Sequence, residues 1–152
     1  MNLRLRAATA ADLDGMLALE ALFPSDRLSR AALRRFLRVP GARLWVAVQG
    51  KAVVGDLILL LRRGADFGRV YSVVVAPTAR GQGLGDRLVA AAERATRDCG
   101  RSRLRLEVRT DNVAARALYA RRGYVPVATL KNYYEDGADG LRLEKSLRVS
   151  AG

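Results

Sequence analysis

Histidine is absent from this sequence of 152 residues. Ser-His-Asp and Cys-His catalytic arrangements are therefore excluded, and so is any histidine-ligated metal site. If the protein is an enzyme, its general base must be a carboxylate, a lysine, a tyrosine, a cysteine, or a water molecule that one of these groups holds. We expect no metal site.

Cysteine occurs once, as Cys99, which excludes an internal disulfide. We interpret this residue as a small apolar side chain near the end of a helix. Long hydrophobic runs are also lacking, since no window approaches the length of a membrane span. Residues 1–6 alternate like a strand and lack the basic and apolar regions of a signal peptide. The sequence therefore predicts a cytoplasmic protein without a membrane partner.

Acidic residues are few, with 15 against 27 basic residues and a formal net charge of +12. A basic nucleic-acid-binding domain without catalysis is one interpretation of this excess, and it stays open as an alternative of another class. The arginines, however, are spread along the chain and are not grouped in one tract with interleaved aromatic residues. We therefore interpret most of them as a solvated surface, and expect some to attract an anionic ligand rather than nucleic acid.

No linker, internal repeat or low-complexity tract interrupts the chain, and its length is enough for one hydrophobic core. We expect a single domain over residues 1–152, with a core of 1–148 and a short tail of 149–152. Hydrophobic periodicity predicts a mixed α/β order. Helices are expected to begin near residues 10, 30, 84 and 114, and strands to cover residues 3–7, 44–48, 52–61, 70–75, 104–109, 124–130 and 141–147.

The segment Arg80-Gly81-Gln82-Gly83-Leu84-Gly85 lies between the predicted strand 70–75 and the predicted helix 84–99. Three glycines in five residues leave the backbone bare, so successive N–H groups can converge at the positive end of the helix dipole, where phosphate binds. A dinucleotide fingerprint is excluded because Asp86 stands where glycine or alanine is needed. A P-loop is excluded because Gly50-Lys51 is followed by Ala52. The loop therefore predicts a phosphorylated cofactor.

The predicted topology brings this loop close to a carboxylate. Strand 70–75, helix 84–99 and strand 104–109 form a parallel crossover, which is almost always right-handed. The apolar composition of strand 70–75 is typical of a central strand that is covered on both faces. The glycine loop follows the first strand and Glu107 lies near the end of the second, so we expect both at the same edge of the sheet, where ligands bind.

The pattern R-x-x-G-x-G after V-V-V-A-P, followed by Glu107, Asn112, Tyr119 and Gly123-Tyr124, resembles the GCN5-related N-acetyltransferase (GNAT) family over nearly the whole chain. The resemblance implies an α/β fold with a mixed, mostly antiparallel sheet, a central parallel strand pair splayed around the cofactor, and helices on both faces. It also implies acetyl-coenzyme A as the acetyl donor. The residues that it assigns to this cofactor are Val73, Val74, Val75, Arg80, Gly81, Gln82, Gly83, Leu84, Gly85, Asp86 and Asn112.

Glu107 is the candidate general base. It could instead form surface ion pairs with Arg105 and Arg109 on the same strand face, but its position at the cofactor edge favours catalysis. The L-E-V-R segment, residues 106–109, also resembles the ribosomal-protein-alanine N-acetyltransferase (RimI-like) branch of the family, whose catalytic base is the glutamate of this segment.

Tyr119 is the candidate general acid, because a phenol with a pKa of about 10 is protonated at neutral pH and can donate to a departing thiolate. Asn112 precedes it by seven residues, about two helical turns, so both can face one side. Packing onto the sheet is the alternative role of Tyr119. If the parallel strands splay, backbone groups at 73–75 can bind the pantetheine arm, and by family resemblance the N–H of Val75 polarises the thioester carbonyl.

Acceptor residues are less strongly encoded. Tyr133 and Tyr134, with acidic residues after them, and Phe23-Pro24 resemble the substrate loops of the same branch, which hold a peptide N-terminus. Their alternative interpretation is turn residues with exposed aromatic rings.

We therefore expect an acetyl-coenzyme A-dependent N-acetyltransferase that acts on a primary amine. The preferred acceptor is the α-amine of a protein or peptide, a ribosomal protein among the candidates, because a free α-amine has a pKa of about 7.7–8.0 against about 10.4 for lysine. A small amine such as a polyamine or an antibiotic is the alternative. The expected oligomeric state is a monomer or a weak dimer.

Overall fold

The computed structural model describes residues 2–23 and 28–148. Its strands are β1 (Leu3–Ala7), β2 (Ala42–Gln49), β3 (Ala52–Leu60), β4 (Phe67–Val75), β5 (Arg103–Arg109), β6 (Val125–Leu130) and β7 (Gly140–Ser146). Its α-helices are α1 (Leu13–Glu20), α2 (Arg30–Arg38), α3 (Leu84–Asp98) and α4 (Val113–Arg121), and short 3-10 turns cover Ala10–Asp12 and Pro77–Ala79. The strands form one sheet in the order β1-β2-β3-β4-β5-β7-β6.

Helices cover both faces of this sheet because its central strands carry apolar residues on both sides. On one face α3 packs against β3, β4 and β5. Glycines permit this close approach: a Cβ added at Gly55 would lie 2.9 Å from a methyl group of Leu84, and one added at Gly68 would lie 2.7 Å from the hydroxyl of Thr96. On the opposite face α1 and α2 cover a second core of buried residues, which consists of Met16, Leu33, Leu44, Val46, Val48 and Ile58.

Local signals place several helix ends where the sequence predicts them. The hydroxyl of Ser29 accepts a hydrogen bond from the N–H of Ala32 and so begins α2. The side chain of Asp12 accepts from the N–H of Thr9 in a capping box. Gly123 follows α4 with φ of 92°, a conformation that favours glycine at the end of a helix.

The parallel pair β4 and β5 separates part of the way along its length. The two strands pair from Phe67 with Arg103 to Val70 with Leu106, and no further. Beyond that point β4 continues on β3 and β5 continues on β7. The expected splay is therefore confirmed.

The sequence predicted that both faces of strand 70–75 are covered, and this prediction is wrong beyond Val70. Val70 is buried, but the residues after it are half-buried, and Tyr71 is exposed. One side of this segment packs on the helical layer, while the other side borders the opening between the strands. The apolar composition therefore reflects a strand that lines a cavity as well as a core.

A buried carboxylate, Glu93, joins three elements. It is 3% exposed and accepts hydrogen bonds from Arg122, Tyr124 and Lys145. Burial opposes its charge, but the hydrogen bonds from Arg122 and Tyr124 and the charges of Arg122 and Lys145 hold its pKa below the usual range. Glu93 therefore stays ionised and links the middle of α3 to the end of α4 and to β7.

A second buried carboxyl, Asp56 on β3, has no such support. It is 1% exposed, and neither of its oxygens has a hydrogen-bond partner in the described part of the chain. Burial raises its pKa to about 8, and the neighbouring charge of Glu20 adds to the shift. Asp56 is therefore protonated in the folded protein at pH 7.

This shift predicts a pH-dependent effect of Asp56→Asn on stability. The folded pKa lies above the unfolded value of about 3.9, so the folded protein holds a proton that the unfolded chain releases, and wild-type stability falls as pH rises from about 4 to 8. The variant lacks this titration. In urea titrations its free energy of unfolding should rise relative to wild type by on the order of a few kcal/mol across that window. A difference that stays constant with pH would contradict the raised pKa.

Candidate active site

The splay between β4 and β5 opens into a cavity of about 830 Å³, a volume within the range of small-molecule sites. The end of β4, the glycine loop, β5 and α4 border it, together with the loop before β7. Most residues predicted from the sequence therefore meet at one cavity. They are Phe23, Val73, Val74, Val75, Arg80, Gly81, Gly83, Leu84, Gly85, Asp86, Glu107, Asn112, Tyr119, Tyr133 and Tyr134.

Two predicted residues are not placed in this cavity. Gln82 is exposed and does not border it, because the bend between Gly81 and Gly83 turns this residue to the surface. Pro24 lies outside the described residues, so only its neighbour Phe23 can be located.

The glycine loop has the geometry of an anion site. Gly81 and Gly83 have φ of 81° and 71°, which glycine adopts without strain. A Cβ added at either residue would meet no atom of residues 2–23 or 28–148 within 4 Å, so these residues do not fill the space above the loop. Gly83 begins α3 without a side-chain cap, so the first N–H groups of the helix remain available to a ligand. This loop therefore fits a diphosphate.

Backbone groups on β4 face the opening. The N–H of Ala76 donates to the carbonyl of Val54 at 2.8 Å, and the carbonyl of Val74 lies 3.3 Å from the Cβ position of Gly55, so both point toward β3. Because backbone groups of successive strand residues point to opposite sides, those of Val73 and Val75 point into the splay. They fit the amides of a pantetheine arm and a carbonyl next to a thioester sulfur.

Asn112 and Asp86 have structural partners of their own. The side-chain carbonyl of Asn112 accepts from the N–H of Ala115 and so begins α4. The Asp86 carboxylate lies 3.6 Å from Arg121 and 3.5 Å from Arg122. Both residues border the cavity, so their contact with the cofactor stays a prediction, and the structure adds a role for both in fixing α4.

The Glu107 carboxylate is buried, with its side chain 6% exposed. Its Oε1 accepts from Nε of Arg69 at 2.7 Å and from the hydroxyl of Tyr133 at 3.4 Å. Its Oε2 lies 3.6 Å from Nε of Arg142 and accepts no hydrogen bond from the residues that the structure describes. Arg69 and Tyr133 therefore hold the group in place through one oxygen, while the other oxygen is buried beside Arg142.

The arginines beside Glu107 on its own strand have carboxylate partners elsewhere in the described structure. Arg105 pairs instead with Glu144, and Arg109 pairs with Asp136. Side chains on adjacent strands lie about 4.5–5.5 Å apart and meet more readily than residues two apart on one strand. The sequence did not indicate Arg69 and Arg142 as neighbours of Glu107, because only the register of the adjacent strands brings them together.

Tyr119 is 3% exposed at the cavity wall, and its ring packs edge-on against Tyr124 at 5.5 Å. Burial raises the pKa of its hydroxyl, and the neighbouring Tyr134 contributes in the same direction. The phenol therefore keeps its proton at neutral pH. Packing and proton donation, posed as alternatives by the sequence, are compatible at this position.

The loop before β7 closes the cavity on the side of Glu107. Tyr133 and Tyr134 pack edge-on with ring centroids 5.0 Å apart. The hydroxyl of Tyr133 accepts from Arg69 at 3.3 Å, and the guanidinium of Arg109 lies 4.8 Å from the centre of the Tyr134 ring. Both tyrosines are thus fixed in place beside the candidate base.

Within the described residues, no helix is long and apolar enough to cross a membrane.

A model of the Acetyltransferase (GNAT) family matches residues 12–124 of this chain. Among curated proteins, the N-alpha-acetyltransferase RimI of Mycobacterium tuberculosis is 37% identical over 145 residues, which cover 91% of this chain and 89% of that protein. N-alpha-acetyltransferase MAK3 of Arabidopsis thaliana is 35% identical over 77 residues, which cover 51% of this chain and 40% of that protein. The match to a Bacillus subtilis relative covers 51% of that protein. This chain therefore spans about half the length, or less, of the Arabidopsis and Bacillus relatives.

Among solved structures, the ribosomal-protein-S18-alanine N-acetyltransferase of Escherichia coli has a TM-score of 0.87 and 22% sequence identity, and the match covers 99% of this chain and 97% of that structure. At this identity the likeness concerns the fold alone. It confirms the fold class expected from the sequence.

The glycine loop generates a prediction with a matched control. Gly83→Leu should lower the affinity for coenzyme A about tenfold or more, because its side chain occupies the space above the loop; tenfold corresponds to about 1.4 kcal/mol. Gly64→Leu is the control, since Gly64 has φ of 82° with no atom within 4 Å of its Cβ position, yet does not border the cavity. Calorimetric titration with coenzyme A and with acetyl-coenzyme A should give equal losses for the first variant and none for the second. Equal affinities in both folded variants would contradict phosphate binding at this loop.

Proposed function

Because this chain belongs to the GNAT acetyltransferase family, which uses acetyl-coenzyme A as its acetyl donor, we propose that it acetylates the N-terminal α-amine of a protein or peptide. The relatives named as N-alpha-acetyltransferases support this acceptor, and so does the L-E-V-R segment at residues 106–109. A ribosomal protein is one candidate substrate.

The observation that carries the proposal is the single cavity shared by a phosphate-type loop, a splayed backbone, a carboxylate and a buried phenol. The glycine loop and Glu107 both border this cavity, so it connects the place for the diphosphate to the place for the amine. Tyr119 borders the same space from α4. The arrangement thus holds both partners of an acyl transfer.

Each step of the transfer has a group suited to it. Glu107 accepts the proton of the attacking amine through a water molecule, while the new N–C bond forms. The N–H of Val75 donates to the thioester oxygen, on which negative charge develops. Tyr119 donates its proton to the sulfur as the C–S bond breaks, which leaves coenzyme A as a thiol and the acceptor as an acetamide.

The proposed acceptor class depends on the free energy needed to deprotonate the amine, because a single carboxylate must assist that step. At neutral pH, holding an α-amine neutral costs on the order of 1–1.4 kcal/mol, against about 4.6 kcal/mol for a lysine, at 1.36 kcal/mol per pKa unit. Glu107 acting through water is adequate for the first. We propose that Tyr133 and Tyr134, which border the cavity, hydrogen-bond the first peptide groups of such a substrate.

Glu107→Gln should lower kcat by roughly 10²–10⁴-fold with little change in affinity for coenzyme A, because a positioned base is lost and the glycine loop is intact. Glu144→Gln is the matched control. Glu144 also pairs with two arginines on the same sheet and has a side chain 14% exposed, yet it does not border the cavity. Steady-state rates should single out Glu107, and equal rates in wild type and Glu107→Gln would remove it as the base.

The acceptor itself is tested with a peptide that carries both a free N-terminus and an internal lysine. We expect the acetyl group on the α-amine, identified by fragmentation in mass spectrometry. The same peptide with a blocked N-terminus should be inactive, and spermidine should not be consumed. Label mainly on the lysine, or consumption of spermidine alone, would reject N-terminal acetylation and favour a different amine acceptor.

A further inference from the structure

A second cavity, of about 300 Å³, lies beside the first. It is lined by Leu60, Arg62, Phe67, Arg69, Arg105, Glu107, Tyr133 and Arg142. Arg69, Glu107 and Tyr133 border both cavities, so these three side chains form the wall between them. Hydrogen bonds join the wall, from Arg69 to both Glu107 and Tyr133 and from Tyr133 to Glu107. The second cavity therefore begins at the candidate base, on the side of the acceptor loop.

The lining of this cavity is strongly cationic. It contains four guanidinium groups and one carboxylate, Glu107, which leaves an excess of three positive charges. Arg105 pairs with Glu144 from outside the lining, but Glu144 is shared with Arg103. Among the described residues, Arg62 forms no ion pair, whereas Arg69 and Arg142 share the single carboxylate of Glu107. The described residues thus supply fewer carboxylates than guanidinium groups around this cavity.

One donor of the cavity lining also lacks an acceptor among the described residues. The Nε of Arg142 is buried and donates no hydrogen bond within the described structure. A buried donor without an acceptor is unfavourable, and an anionic ligand that reaches it from the cavity would supply the missing acceptor. The guanidinium of Arg105 stacks on Phe67 at 4.1 Å from the ring centre and donates from Nε to Glu144, and these two contacts fix its plane beside the cavity.

From this geometry we infer that the second cavity is a specificity site for a carboxylate of the acceptor, and that the preferred acceptors are peptides with an acidic side chain among their first three residues. The inference rests on the proposed N-terminal acetylation and adds the class of substrate. With the α-amine at Glu107, three residues span at most about 10 Å, so an early acidic side chain can reach the adjacent cavity. Basic N-termini are disfavoured by repulsion from the same arginines.

The test compares three peptides with free N-termini that differ only at the second residue, which is Glu, Gln or Lys. For wild type, kcat/KM should be about tenfold higher for the Glu peptide than for the Gln peptide, lowest for the Lys peptide, and the preference should shrink in high salt. Arg62→Gln should lower the Glu-to-Gln ratio about threefold, and Arg62→Glu should lower it further. Arg63→Gln is the control, because Arg63 is exposed next to Arg62 and borders neither cavity.

Binding provides a readout that does not depend on turnover. The dissociation constants of the three peptides are measured by calorimetry on the protein saturated with coenzyme A. Tighter binding of the Glu peptide that is lost in Arg62→Gln and kept in Arg63→Gln supports the site even if no peptide is acetylated, which would instead count against the proposed function. Equal binding and equal kcat/KM of the Glu and Gln peptides, with acetylation of both, would overturn the inference and leave the proposed function standing.

Discussion

The site depends on one structural constraint, the end of pairing between β4 and β5 after Val70 and Leu106. Up to that point the two strands satisfy each other's backbone groups. Beyond it, β4 is held only by β3 and β5 only by β7, so each presents one unpaired edge to the space between them. A sheet edge inside a molecule costs free energy unless a ligand completes it, because buried backbone groups need partners. The cavity is therefore a gap in the sheet that an amide-bearing ligand can complete.

Around this gap, the charged groups are held by neighbouring strands. Glu107 on β5 is bound by Arg69 of β4 and lies next to Arg142 of β7, so its position depends on the register of three strands. Arg69 at the same time separates the two cavities. The group proposed as the base and the groups proposed to choose the acceptor are consequently one connected network. A substitution in one part of this network is expected to be felt in the other, because residues that share a partner are not energetically independent.

Much of the fold and the site could be predicted from the sequence because local signals encode them. The glycines at 81 and 83 permit the left-handed backbone of the loop, Ser29 and Gly123 mark helix ends, and the strand–helix–strand order fixes which ends meet at one edge. The partners of Glu107 could not be predicted, because Arg69 and Arg142 lie 38 and 35 positions away and meet it only through strand register. The burial of Asp56 is compatible with its apolar segment, but its lack of hydrogen-bond partners among the described residues and the nearby charge of Glu20 depend on tertiary packing that the sequence does not reveal.

Glu93 has a consequence for the behaviour of the whole site. This one carboxylate receives hydrogen bonds from Arg122 after α4 and Lys145 on β7, while it belongs to the helix that begins at the glycine loop. The glycine loop leads into α3, Tyr119 lies on α4, and β7 pairs with the strand that carries Glu107. Glu93 does not border the cavity, yet it holds these three elements together. Because its pKa is held low, Glu93 stays charged down to acidic pH, and these contacts weaken when the carboxylate is protonated. Protonation of Glu93 at acidic pH should therefore weaken the packing of α3, α4 and β7 together rather than one element after another.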